Sequence, residues 1–128
     1  MTEHDPRGLS PHAPGAKLDA GKLMADMVLG DFARALTAVV EVGTFGARKY
    51  TKHGWLLVED GVARYSDARM RHWLKEKCGE THDPDSGLLH AAHDAWNTLA
   101  RLELMIRQVE AERASETAAP SEPKRAWS

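Results

Sequence analysis

Ser86-Gly87-Leu88-Leu89-His90-Ala91-Ala92-His93-Asp94-Ala95-Trp96-Asn97-Thr98-Leu99-Ala100-Arg101-Leu102 is the stretch that decides the fold. Leu88, Leu89, Ala92, Ala95, Trp96, Leu99 and Leu102 recur at helical spacing, and Met105, Ile106 and Val109 continue the pattern. The spacing predicts a helix from about Ser86 to about Arg113, the longest element and the spine of the fold. Asp85 and Ser86, just after the breaker Pro84, stand where such a helix needs N-caps. Inside it, His90, His93 and Asn97 fall at i, i+3 and i+7 and share one face, and Asp94 lies four residues after His90. A buried polar group without a partner is costly, so this stripe needs partners. It is either a network bridging helices (His93 to Asp67, for example, or Asn97 to a loop carbonyl) or a binding site.

Two further helices are readable outward from this one. The second runs from about Ser66 to Cys78, with Ala68, Met70, Trp73 and Leu74 apolar and Gly79 as its C′ stop. The first runs from about Leu29 or Asp31 to Val42, with Asp31 as a candidate N-cap and Gly43 and Gly46 punctuating its end. Between them, Phe45 to Tyr50 suits a further helical turn. Leu56-Leu57-Val58, between Gly54 and Gly61, suits at most one short strand. The expected fold is all-α, a compact bundle of three to four helices with a long C-terminal helix. Residues 1–15 read as a disordered leader, 16–113 as the helical domain and 114–128 as a disordered tail. A bundle this small has a modest core, so a homo-oligomer sharing the long helix is expected.

Composition narrows the function. The 128 residues suit one domain, and 42% hydrophobic with 28% charged residues is ordinary for a soluble globular protein. A formal net charge of −2 gives no general attraction to nucleic acid or to an anionic membrane, although a local basic patch would still permit nucleic acid. The single cysteine, Cys78, excludes an internal disulfide framework and a cysteine-based zinc site. No apolar run is long enough to span a bilayer, and the leader lacks an apolar signal core, so a cytoplasmic location is expected.

Four segments carry a resemblance to a known family. They are Lys17-Leu18-Asp19-Ala20-Gly21-Lys22-Leu23, Phe45-Gly46-Ala47-Arg48-Lys49-Tyr50 with Trp55, Arg64-Tyr65-Ser66-Asp67-Ala68 with Arg71-His72, and Asp83-Pro84-Asp85-Ser86-Gly87 followed by His90, His93 and Asn97. In order and spacing the chain resembles the phage and bacterial dATP/dGTP diphosphohydrolase N-terminal domain, over roughly residues 16–106. The resemblance implies hydrolysis of a deoxypurine triphosphate to monophosphate and pyrophosphate in phage nucleotide metabolism, in the host cytoplasm. Related all-α MazG-type pyrophosphohydrolases bind magnesium through paired Glu-x-x-Glu or Glu-x-x-Asp motifs. This chain departs from that pattern, with only Glu41 on the first helix and His90-x-x-His93-Asp94 on the third.

Two functions follow. In the first, the protein is a metal-dependent nucleoside triphosphate pyrophosphohydrolase. Glu41, Asp67, Asp94 and His90 would hold Mg²⁺ or Mn²⁺, and His90 or His93, with Glu41, would serve catalysis. Lys22, Lys49, Arg64 and Arg71 would bind phosphates, and Tyr50, Trp55 and Asn97 would contact the nucleotide. In the second, it is a non-enzymatic phage accessory module. The polar stripe then fixes helix register, Arg64, Asp67 and Arg71 form an ion-pair ladder, and the surface takes nucleotide, nucleic acid or a protein. The missing acidic pairs favour this second reading.

Overall fold

A computed structural model describes residues 2–118; residues 119–128, most of the expected C-terminal tail, lie outside the described residues. The chain divides into two compact units, Met1–Ala33 and Arg34–Ser128. Among the described residues there are four α-helices and one 3₁₀ turn, and the only strand-type pairing is an isolated bridge between His82 and Leu89. The protein is all-α with a long C-terminal helix, as its periodicity predicts.

In the first unit, turns lead to a short helix, α1 (Ala25–Gly30). Asp5 organises the turns. Its carboxylate accepts the backbone N–H of Lys17 at 2.8 Å and of Arg7 at 2.7 Å. Those amides hold the Asp5 carboxyl below its usual range. Asp31 ends α1 rather than starting the next helix, because its backbone is helical where an N-cap would be extended.

In the second unit, α2 (Ala33–Lys49) runs straight through both glycines expected to stop it. Gly43 has a packing reason instead. A Cβ there would lie 3.1 Å from the indole Nε1 of Trp96. The helix accepts the weaker propensity of glycine, about 1 kcal/mol against alanine, so that Trp96 can approach its backbone. A 3₁₀ turn (Gly54–Leu57) stands where the sequence allows a short strand. It ends a loop whose direction is set by His53, held in the left-handed region at φ 62°.

Helix α3 (Gly61–Lys77) begins five residues before the predicted start, since Gly61 opens the helix and does not merely mark a loop. It is buried against α4, and a Cβ on it would come within 2.7 Å of Leu104 Cδ1. Its end matches expectation. Gly79 adopts φ 101°, its N–H bonds the Glu76 carbonyl at 3.0 Å, and the Glu80 N–H bonds the Lys75 carbonyl at 3.0 Å. That pair of bonds is a Schellman closure.

Helix α4 (His90–Ala118) starts later than predicted and ends later too, so residues 114–118 are helical. It packs along α3. Arg101 Nε donates to Ser66 Oγ at 2.8 Å, and the small residues Ala92 and Ala100 are buried. Trp55, Tyr65 and Trp96 form a triangle of edge-on rings with centroids 6.2, 5.7 and 5.7 Å apart. The Tyr65 hydroxyl donates to the Trp55 carbonyl at 2.7 Å, tying the 3₁₀ turn to α3. Burial raises the Tyr65 pKa.

Candidate functional site

The turn between α3 and α4 builds one wall of the site. The His90 N–H bonds the Thr81 carbonyl at 3.0 Å, and the Asp83 N–H bonds the Leu88 carbonyl at 2.8 Å. Gly87 closes the loop at φ 73°, a conformation that a side chain rarely adopts. Asp83 Oδ1 accepts the Asp85 N–H at 2.8 Å, a local Asx turn that fixes its carboxylate. Asp85 and Ser86 are therefore not the N-caps the sequence suggested. Asp85 instead meets Lys49 of α2 at 2.6 Å, and Ser86 Oγ lies 2.7 Å from His93 Nε2.

Three histidines converge beneath this loop. His72 of α3 and His93 of α4 stack with centroids 4.5 Å apart and planes 8° from parallel. His90 is fully buried, its Nδ1 2.8 Å from His72 Nδ1 and its Nε2 2.8 Å from Glu80 Oε1. A carboxylate only accepts, so neutral His90 carries its proton on Nε2 and offers Nδ1 as acceptor. His72 then donates from Nδ1 and keeps the Nε2 lone pair. This tautomer follows from the hydrogen-bond network.

Electrostatics agree with neutral rings. Burial pushes the His72 pKa down to about 4, helped by the neighbouring His93 and His90. Burial also lowers His93, against the opposing pull of Asp83. Burial works against ionisation of Asp83, but the Asp85 amide and the three imidazoles outweigh it and hold this carboxyl below its usual range. Asp83 Oδ2 lies 3.6 Å from His93 Nε2. One ligand atom from each of His72, Asp83 and His93 falls within 4.8 Å of the others, the one such group among the described residues.

Beside the cluster lies an open groove of about 840 Å³, a size that suits a small organic ligand. Lys49, Arg64 and Arg71 supply cations to its lining, Asp67, Asp83 and Asp85 supply acids, and Tyr50 and Trp55 supply aromatic faces. Among the described residues, Asp67 is in no ion pair with Arg64 or Arg71. The ladder along α3 is absent among the described residues, and Arg64 Nη1 donates to the Glu59 carbonyl at 3.5 Å.

The residues singled out in the sequence divide by position. Lys49, Tyr50, Trp55, Arg64, Asp67, Arg71, His93 and Asn97 all line the groove. Glu41 does not; it lines a separate hollow of about 160 Å³ with His82 and Leu89. Asp94 is engaged by Arg69 Nε at 3.0 Å. Both nitrogens of His90 are taken by Glu80 and His72. Glu41, Asp67, Asp94 and His90 are thus not gathered around one point. Lys22 belongs to the first unit, where it pairs with Glu3 at 3.2 Å. Asn97 spends one amide proton on the His93 carbonyl of its own helix, at 2.8 Å, and not on a loop.

His72 and Asp83 stand among the sequence motifs without a role assigned to either, and Glu80 is not singled out at all. His72 sits next to Arg71 and draws no attention by spacing. Its signal is visible only once α3 is phased. Ala68, one turn earlier, also lines the groove, so His72 four residues on falls on the same face.

The model for the family described as "dATP/dGTP diphosphohydrolase, N-terminal" matches residues 12–114. A protein of Salmonella phage PMBT28 named "dATP/dGTP diphosphohydrolase" is 32% identical over 81 residues, covering 63% of this chain and 26% of the phage protein. The chain therefore spans about a quarter of the length of that relative. No solved structure matches. No helix among the described residues is long and apolar enough to cross a membrane. The chain belongs to the dATP/dGTP diphosphohydrolase N-terminal family.

Proposed function

We propose that the second unit binds a purine deoxynucleoside triphosphate in the groove and takes part in its hydrolysis to monophosphate and pyrophosphate, in phage nucleotide metabolism. The observation that carries this reading is the arginine couple, Arg64 and Arg71, outside every ion pair among the described residues and lining the same groove as Trp55 and Tyr50. Guanidinium groups without internal acids bind phosphate oxygens at little competing cost, and an aromatic face accepts a base. Lys49 adds a third cation, held in place by Asp85, whose hydrogen bond raises its pKa. Mg²⁺ or Mn²⁺ would arrive with the phosphate chain and offset its charge, within reach of the groove acids Asp67 and Asp85. The family membership and the phage relative's name support the substrate class.

The test is direct. Purified protein is incubated with each of the four deoxynucleoside triphosphates and Mg²⁺ or Mn²⁺, and pyrophosphate is measured. Release from dATP and dGTP above the pyrimidine controls supports the reading, and no release from any of the four sinks catalysis by this chain. One observation favours the accessory-module alternative. Glu41 and Asp94, the acids that catalysis was expected to use, lie outside the groove lining. In that case nucleotide would still bind, with no turnover.

Self-association belongs to the same proposal. Leu99, Leu102, Ile106 and Val109 form a stripe along α4 and are each 44–49% exposed, while only Val42, Ala92 and Ala100 are buried apolar residues among those described. A core this small is marginal alone, and a second copy is the simplest cover for such a seam.

A further inference from the structure

The histidine cluster has a capacity that nucleotide binding does not use. We propose that His72, Asp83 and His93 form a site for a divalent transition-metal ion of the zinc, cobalt and iron(II) class, with His90 and Glu80 as its outer support. The inference stands on geometry and is independent of the nucleotide reading.

Two imidazoles and a carboxylate from three separate elements already lie within 4.8 Å of one another. In a site with ~2.0–2.1 Å metal–nitrogen bonds, adjacent ligand atoms sit ~3–4 Å apart, so the widest separation in the group closes by roughly 1–2 Å on binding. The rings are stacked 8° from parallel, with their lone pairs in nearly parallel planes, so both would rotate out of the stack to point at one ion. Three ligands with water in the remaining positions is the arrangement of reactive zinc and iron(II) sites. Imidazole donors favour these borderline ions over magnesium, which prefers oxygen.

The surroundings match the demands of a metal site. Ligands must be neutral imidazole and ionised carboxylate at neutral pH, which is the state that burial of the rings and the Asp85 amide favour. The chain Glu80–His90–His72 orients His72 through its Nδ1 proton and leaves Nε2 free. A histidine ligand whose other nitrogen donates to an acceptor backed by a carboxylate is the usual outer-shell device. Ser86 Oγ, 2.7 Å from His93 Nε2, hydrogen-bonds that nitrogen and would release it to an incoming ion. The site opens on the groove, so an ion there has a route of entry and faces the ligand space.

The test uses full-length protein stripped with chelator, without nucleotide, titrated with Co²⁺ by visible absorption and with Zn²⁺ by calorimetry. One ion per chain is expected, with a cobalt spectrum showing nitrogen ligation. Asp83→Asn, whose side-chain oxygen can still accept the Asp85 amide, and His72→Gln should each weaken binding at least ~10-fold. Glu80→Gln should weaken it by ~10-fold or less, and Asp94→Asn should leave it unchanged. Circular dichroism checks that each variant is folded. Absence of a cobalt spectrum in wild-type protein overturns the proposal. So does binding that survives both Asp83→Asn and His72→Gln, which would place the ion on the other histidines. Because no nucleotide is present, neither result bears on the hydrolysis assay.

Discussion

His72 and His93 are stacked ring on ring, 4.5 Å between centroids and 8° from parallel, although they come from different helices. Two such rings cannot both carry a proton cheaply, and neither can move without disturbing the α3–α4 contact. Their neutrality is part of what holds the two helices together.

Acid should therefore loosen the metal-free protein. His72 has a folded pKa of about 4 against 6.5 when unfolded, so the unfolded chain binds the proton more readily. Its contribution is complete above about pH 6.5 and is lost as the pH falls toward 4. After allowance for solvent around a half-buried ring, the loss is ~1–2 kcal/mol. Thermal melts in chelator at pH 7, 5.5 and 4.5 should show Tm falling through this window. His72→Asn should flatten that slope. An equal slope in the variant would assign the acid sensitivity elsewhere.

Arg64 and Arg71 should separate binding from folding. Neither is in an ion pair among the described residues, so Arg64→Ala and Arg71→Ala should leave Tm within about 1 °C of wild type. Each should weaken binding of a non-hydrolysable dGTP analogue by ~10-fold or more, since a charged hydrogen bond contributes ~1.5–3 kcal/mol. Calorimetry measures both constants. Unchanged affinity in both variants would remove the groove from the nucleotide reading.

The two mid-helix glycines of α2 should respond in opposite ways. A methyl group added at Gly46 would meet nothing within 4 Å, so Gly46→Ala should stabilise the protein by ~0.5–1 kcal/mol. At Gly43 the same methyl meets the Trp96 ring at 3.1 Å. The rigid indole cannot swing away easily, so Gly43→Ala should lose that gain or reverse it. Denaturant melts of the pair give the contrast.

The α4 seam predicts a species heavier than one chain in sedimentation velocity. Leu102→Glu or Ile106→Glu should convert it to single chains, because a charge in a closed apolar seam has no partner. A wild-type protein that sediments as one chain at all concentrations would refute self-association.

The helices are legible in the sequence because their signals are local. The apolar spacing of Leu99, Leu102 and Ile106 and the αL stop at Gly79 need no tertiary knowledge. Helix boundaries fail where a residue answers to a distant neighbour. Gly43 looks like a stop until Trp96 is seen above it, and Gly61 looks like a loop until Leu104 is seen beside it. The same holds at the site. His93, Asn97, Arg64 and Arg71 stand out by spacing on their own helices, and all line the groove. His72 and Asp83 matter only through what they face, and a single sequence does not show which side chains face each other. Glu41 and Asp94 draw attention as acids on the right helices, but Glu41 lines a separate hollow and Asp94 pairs with Arg69.

The Schellman closure at Gly79 and the glycine turn at Gly87 shape the connection, residues 78–89, that joins α3 to α4. Every member of the histidine cluster therefore falls between residues 72 and 93. Closing this hairpin costs less chain entropy than a contact between distant parts of the chain, and contacts of low sequence separation form early. The cluster should assemble with the α3–α4 hairpin and precede the docking of α2 on α4, where Gly43 meets Trp96 across a much longer stretch of chain. A centre of this kind is a nucleus for folding as well as a place for chemistry, and a substitution at His72 should slow the refolding rate as well as lower stability.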